Sequence, residues 1–129
     1  MPDLIHHIVG LAMKVHNELG PYQAEIVYHR AMLELLTADG LLVRDRPTLV
    51  VRFRGKPIAD LVPDCIVRRD QETVIVDFKA DGRLTDADVR QMLGYLSAHR
   101  SAATGLLLNF GAARLTWRRV WQPDHRSKE

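Results

Sequence analysis

Two aspartates and a lysine in the middle of this 129-residue chain have the types and spacing of a hydrolytic site. Asp64 follows Pro63, and Asp77 sits in the run Val74-Ile75-Val76-Asp77-Phe78-Lys79. Segments 58–68 and 73–80 read as an antiparallel hairpin. A turn centred on Asp70-Gln71 sets Arg68 opposite Thr73, Ile66 opposite Ile75 and Asp64 opposite Asp77. Directly opposed residues leave the same face of a sheet, and Lys79, two residues on, shares it. Asp60 falls on that face by the same parity. Asp70-Gln71 is a weak two-residue turn signal, so a four-residue loop with the same symmetry stays open. Facing carboxylates on a strand apolar on both sides repel each other and lose solvation. A divalent cation relieves both problems, and Mg²⁺ is commonly held by one or two carboxylates, water and phosphate oxygens. Lys79 could then orient a water or offset charge developing on a phosphate. A surface hairpin in which Lys79 merely neutralises Asp77 uses the same residues without chemistry.

The elements that would carry these residues follow from the hydrophobic period. Leu4, Ile8, Leu11, Ala12, Val15 and Leu19 form a helical stripe behind an Asp3 cap, and Gly20-Pro21 ends it. A second helix is expected over residues 23–38, closed by Gly40. From Leu42 to Lys79 the chain turns rich in Val, Ile and Phe, which favours strands. Residues 48–54 alternate ahead of a Gly55-Lys56 turn. Thr85 opens a third helix with a capping-box partner in Asp88 and a staple from Leu84 to Val89. Residues 104–110 are the continuous apolar run of a buried strand, and 115–121 a last strand. The order is αα-βββ-α-ββ, which predicts a mixed central sheet flanked by helices.

Composition sets the limits. The length suits a single domain over residues 1–121 with a polar tail at 122–129, and 47% hydrophobic with 26% charged residues is ordinary for a globular protein. No apolar run is long enough to span a membrane, and Asp3, His6 and His7 interrupt any signal-peptide core. One cysteine, Cys65, excludes an internal disulfide and a Cys-ligated zinc site. A reducing cytoplasm is the simplest compartment. The net charge is only +2, yet 14 of the 18 basic residues are Arg, whose planar fork suits phosphate. A GC-rich genome would give the same bias.

Pro63-Asp64 followed by Asp77-Phe78-Lys79 resembles the PD-(D/E)XK nuclease signature. More narrowly, the chain resembles the GxxExxY family of that superfamily. The matching stretches are Ala12-Met13-Lys14-Val15-His16-Asn17-Glu18-Leu19-Gly20-Pro21, Glu25-Ile26-Val27-Tyr28, Ala59-Asp60-Leu61-Val62, Val74 to Lys79, Gln91-Met92-Leu93-Gly94-Tyr95-Leu96 and Gly105-Leu106-Leu107-Leu108-Asn109-Phe110-Gly111. Tyr22 stands where the family's glycine is expected. The resemblance implies a restriction-endonuclease-like αβββαβ core, here with an extra N-terminal helix and C-terminal strand. It also implies a Mg²⁺ site, with Mn²⁺ as an alternative, that hydrolyses phosphodiester bonds of nucleic acid, DNA being favoured. Asp64 and Asp77 would hold the metal, Glu25 would supply a third carboxylate, and the Phe78 carbonyl could join them. The Asp60-Leu61 match favours Asp60 as first ligand, whereas Pro-Asp and the cross-strand register favour Asp64. Gln91 and Tyr95, one helical turn apart, are similar to a Gln-xxx-Tyr element that supports phosphate. They equally suit a half-buried helix edge.

The rival reading is a nuclease fold without catalysis that binds nucleic acid or a partner protein. A core this small leaves little for substrate recognition, so a homodimer could grip a duplex. Other residues carry less. Adjacent His6 and His7 diverge around a helix, His16 reads as a packing residue, and Cys65 as core. Trp117-Arg118-Arg119-Val120-Trp121 has the composition of a single-strand platform and equally of a protected edge strand. Arg44, Arg46, Arg52 and Arg54 alternate as if on one strand, a basic stripe or simply a solvated face.

Overall fold

The computed structural model describes residues 3–123, so most of the expected polar tail lies outside the described residues. Helix α1 (Leu4–Leu19) starts as expected: the Asp3 side chain accepts from the His6 N–H at 3.0 Å. Gly20 ends it at φ 71°, a left-handed conformation that glycine adopts without a Cβ clash. Helix α2 (Glu25–Ala38) begins two residues later than expected. Tyr28 fixes that start. Its ring stacks on Phe110 with centroids 4.6 Å apart. Its hydroxyl donates to the Gly20 carbonyl and accepts from the Gln23 N–H. The turn between the helices is thereby tied to the core, and Glu25 is held in the first turn of α2. Tyr28→Phe keeps the ring and loses both bonds. It should cost about 1–2 kcal/mol, read as a lower urea midpoint at unchanged slope.

The strands are β1 (Leu42–Asp45), β2 (Leu49–Phe53), β3 (Lys56–Leu61), β4 (Cys65–Arg69), β5 (Glu72–Lys79), β6 (Thr104–Asn109) and β7 (Thr116–Trp121), with α3 (Asp86–Ala98) between β5 and β6. Five of them form a sheet in the order β1-β4-β5-β6-β7, and β2 pairs with β3 in a separate hairpin. Only β5 and β6 run parallel, joined through α3. Helix α2, then β1, β4, β5, α3 and β6, make the restriction-endonuclease-like αβββαβ core. Helix α1 and strand β7 are additions, and the β2–β3 hairpin is inserted between the first two core strands.

Three expectations need correction. The first strand of the main sheet is Leu42–Asp45, not residues 48–54, which belong to the separate hairpin. Residues 58–68 are not one strand. The chain leaves its ladder at Val62-Pro63-Asp64; the part before belongs to the hairpin and the part after to the main sheet. Pro63 has no N–H to donate and restricts the residue before it, so the ladder breaks there. The four arginines are not one stripe either. Arg44 is on β1 and Arg52 on β2, while Arg46 and Arg54 take positive φ beyond those strands.

The core lies on both faces of the sheet. On one, Val67, Val74, Val76, Phe78, Leu106 and Leu108 pack against the apolar stripes of α1 and α2. On the other, Ile66, Ile75 and Leu107 meet Met92, Tyr95 and Leu96 of α3 and Leu49 of the hairpin. Covered on both sides, β5 is buried from Val74 to Phe78, Asp77 included. Among the described residues no helix is long and apolar enough to cross a membrane.

Candidate active site

The hairpin register at β4 and β5 places the acids. Arg68 opposes Thr73, Ile66 opposes Ile75 and Cys65 opposes Val76, across a two-residue turn whose Asp70 takes φ 54°. Asp64 lies one residue beyond β4, still level with Asp77. Free of the ladder, its backbone N–H donates to Asp77 Oδ1 at 2.9 Å, and its Oδ2 accepts from the Phe78 N–H at 2.7 Å. Each carboxylate is therefore held by the other strand's backbone. In an extended strand a residue's N–H and C=O point to the same side. The Phe78 carbonyl accordingly faces the same open edge as Asp64.

Lys79 shares the face of Asp77, as the alternation requires. Its Nζ lies 3.6 Å from Asp77 Oδ2 and donates to Gln91 Oε1 at 3.0 Å. Asp88 Oδ1 is 3.9 Å away, while Asp88 Oδ2 accepts from the Thr85 N–H in the expected capping box. Asp88, Gln91 and Tyr95 follow one face of α3. This end of the sheet is thus walled by the first turns of α2 and α3.

The electrostatics are those of crowded acids. Burial, then the Asp64 carboxylate, raise the Asp77 pKa to about 6 against the pull of the Asp64 N–H and Lys79. The Glu25 side chain still meets solvent, but burial, then Asp64, raise its pKa, with Asp81 and Asp88 adding to Asp64 and Lys79 opposing. Burial, then Asp77 and Asp64, push the Tyr95 phenol well above its ordinary value, so it remains a hydrogen-bond donor. Asp64, Asp77, Lys79, Gln91, Tyr95 and Glu25 are thus brought to one place. Asp60 is not: it is exposed on β3 opposite Val50, outside the sheet that carries Asp77.

No three His, Cys, Asp or Glu side chains among the described residues converge as a ready metal cage. The donor set nevertheless suits Mg²⁺, which keeps several waters and needs only one or two carboxylates. Asp64 and Asp77 are hard oxygen donors, and their mutual repulsion is what a divalent cation would relieve.

Two residues here go beyond what the sequence marks. Asp88 reads there only as a cap. His29, one turn after Glu25 on α2, is buried with Nε2 2.7 Å from Asp45 Oδ1 and Nδ1 3.5 Å from Asp64 Oδ1. Its ring meets Phe78 edge-on at 5.3 Å. The Glu25-His29 spacing, which puts both on one helix face, was the available signal. His29→Ala removes a link to Asp64 and leaves a cavity beside Phe78. It should cost about 2 kcal/mol by urea unfolding.

The remaining candidates fall elsewhere. His16 is buried with Nε2 3.0 Å from the Ala112 carbonyl. His6 contacts Asp3, while His7 contacts Asp39 and Arg69. Cys65 is fully buried on the α1–α2 face, and burial pushes its thiol well up. On β7, Arg119 stacks 4.1 Å over Trp121 and reaches Asp3 at 3.3 Å. By register Trp117, Arg119 and Trp121 project from the face opposite Asp77.

A family model of the PD-(D/E)XK nuclease superfamily matches residues 2–120. The fold is similar to the crystal structure of SSO0001, with a TM-score of 0.60 and 16% sequence identity over 81% of this chain and 53% of that one. The chain thus spans about half the length of that protein, and the likeness bears on fold alone. No curated protein matches the chain.

Proposed function

Since the chain belongs to the PD-(D/E)XK nuclease superfamily, we propose that it is a divalent-metal-dependent nuclease that hydrolyses phosphodiester bonds, with DNA as substrate. The stretches around Glu25-Ile26-Val27-Tyr28 and Gln91 to Tyr95 support the narrower assignment to a GxxExxY-type protein. The observation that carries the proposal is the apposition of Asp64 to the buried Asp77 beside Lys79.

In this reading Asp64 and Asp77 hold Mg²⁺ or Mn²⁺, with Glu25 and the Phe78 carbonyl completing the oxygen donors. The cation, when bound, supplies Lewis-acid stabilisation of the phosphoryl oxygen and lowers the pKa of water. Lys79, steadied by Gln91, donates to the attacking water or to a phosphate oxygen as charge develops. Tyr95, kept protonated by its surroundings, donates a further hydrogen bond toward phosphate. Gln91 sets the lysine's position rather than reacting.

The test is cleavage of single-stranded, duplex and branched DNA, with RNA alongside, in Mg²⁺ and in Mn²⁺. Lys79→Gln should lower the rate constant at least about 100-fold, the scale for one lost charge-stabilising donor. Cleavage unaffected by Lys79→Gln would overturn the assignment of the site. Strand binding without any cleavage would leave the second reading, a nuclease-fold binding module.

A further inference from the structure

A groove of about 300 Å³ opens on the α3 face of the sheet, at the end remote from Asp77. Arg44, Arg68, Thr73, His99 and Ser101 line it above Ile66. Arg44 opposes Ile66 on β4, and Arg68 is two residues further on, so the two arginines are diagonal neighbours on one face. Such positions lie about 7–8 Å apart, within reach of one another's long side chains.

Among the described residues neither Arg44 nor Arg68 pairs with a carboxylate. Among the described residues Arg69 pairs with Glu72 and Arg119 with Asp3, whereas Arg44 forms no ion pair and Arg68 donates only to the Asp70 carbonyl at 3.3 Å. His99 stands beside them, its Nε2 3.0 Å from Ser101 Oγ. Its pKa is lowered by burial and then by the neighbouring Arg44 charge. The groove thus presents two planar forks and a hydroxyl, the chemistry of a phosphate site.

Thr73 and Asp77 lie on the same strand and the same face, four residues or about 13 Å apart, the axial rise of about four stacked nucleotides. Ile75 between them is buried under Met92, Tyr95 and Leu96 of α3, so a strand reaching both ends passes outside α3 and spans more than that. We propose that this groove is a second phosphate subsite, gripping the strand backbone more than about four nucleotides from the phosphate at Asp77 and Lys79. The proposal rests on the nucleic-acid reading above and adds where the strand runs.

Binding of labelled single-stranded DNA by fluorescence anisotropy, in metal-free buffer, separates the two claims. For a strand of about ten nucleotides, Arg44→Gln/Arg68→Gln should weaken binding about tenfold. The slope of log K against log salt should become shallower by about 1.4, or 0.7 for each lost phosphate contact. Arg44→Lys/Arg68→Lys, which keeps both charges, should restore the slope, and Arg30→Gln on the exposed side of α2 should leave affinity within twofold. Unchanged affinity and slope in the Gln double variant overturn the subsite, as does failure of the wild type to bind the longer strand. Inorganic phosphate titrating the groove while strand affinity ignores both arginines also overturns it, in favour of a free anion. None of these results touches metal binding at Asp77, which is measured separately.

Discussion

Asp77→Asn is expected to make the metal-free protein more stable at pH 7 while abolishing its response to Mg²⁺. Asp77 is buried beside Asp64, and its pKa is raised to about 6 in the folded chain. An exposed aspartate titrates near 3.9. Below about pH 4 the carboxyl is protonated in both states and costs the fold nothing. As pH rises toward 6 the unfolded chain gives up this proton first, so stability falls through that window and stays lost above it. A shift of two units corresponds to about 3 kcal/mol. Losing the Lys79 contact takes back part of this, leaving a gain of about 2 kcal/mol for asparagine at pH 7. The Asn carbonyl can still accept from the Asp64 N–H. The melting temperature should rise by about 5–10 °C at pH 7, with the difference nearly gone at pH 4. Mg²⁺ should raise the wild-type melting temperature and leave that of the variant unchanged. An equal loss of stability at both pH values would show that the carboxylate is structural.

Gly111→Ala is the other large effect, and it acts through backbone. A Cβ at Gly111 would lie 2.2 Å from the Asp81 carbonyl oxygen and 2.5 Å from the Ala80 carbonyl carbon. No rotamer relieves a clash with main chain. The loops after β5 and β6 are clamped here by Asn109, whose Oδ1 accepts from the N–H groups of Asp81 and Gly111 at 3.1 Å each. Phe110 closes the clamp by donating to the Lys79 carbonyl at 2.8 Å. The added methyl must push residues 80–81 away, open the clamp and disturb Lys79. The expected cost is about 3 kcal/mol in urea unfolding, at the upper end for overpacking, together with a loss of activity in the protein that remains folded. A normal melting temperature would mean that the two loops can separate freely.

What was legible in the sequence is explained by range. The Asp64–Asp77 apposition follows from a two-residue side-chain period and a short turn, both local, and the β4–β5 register obeys them. The α3 capping box is local as well. The division of residues 58–68 was harder. Pro63 marks a break and the Gly55-Lys56 turn is a local sign that the earlier half pairs with β2, but β-branched and apolar residues continue on both sides of Pro63 and favour one long strand. That choice carries Asp60 away from Asp77. It also splits the arginines between two sheets, because Arg44 and Arg52 follow different partners. His29 escaped notice because its meaning depends on Asp45 and Asp64, which reach it only once α2 packs on the sheet. The GxxExxY-like stretch marks Glu25 and Tyr28, but the bonds of Tyr28 to Gly20 and Gln23 depend on how the turn between α1 and α2 packs.

Whether Asp64 and Asp77 hold the metal of a hydrolytic site is decided by calorimetric titration of the wild type and of Asp77→Asn with Mn²⁺ and Mg²⁺ at pH 7.5. Saturable binding at or below millimolar concentration is expected in the wild type, lost in Asp77→Asn and weakening below about pH 6 as Asp77 takes up its proton. Absence of binding at millimolar metal, or equal binding by the variant, would rule this site out.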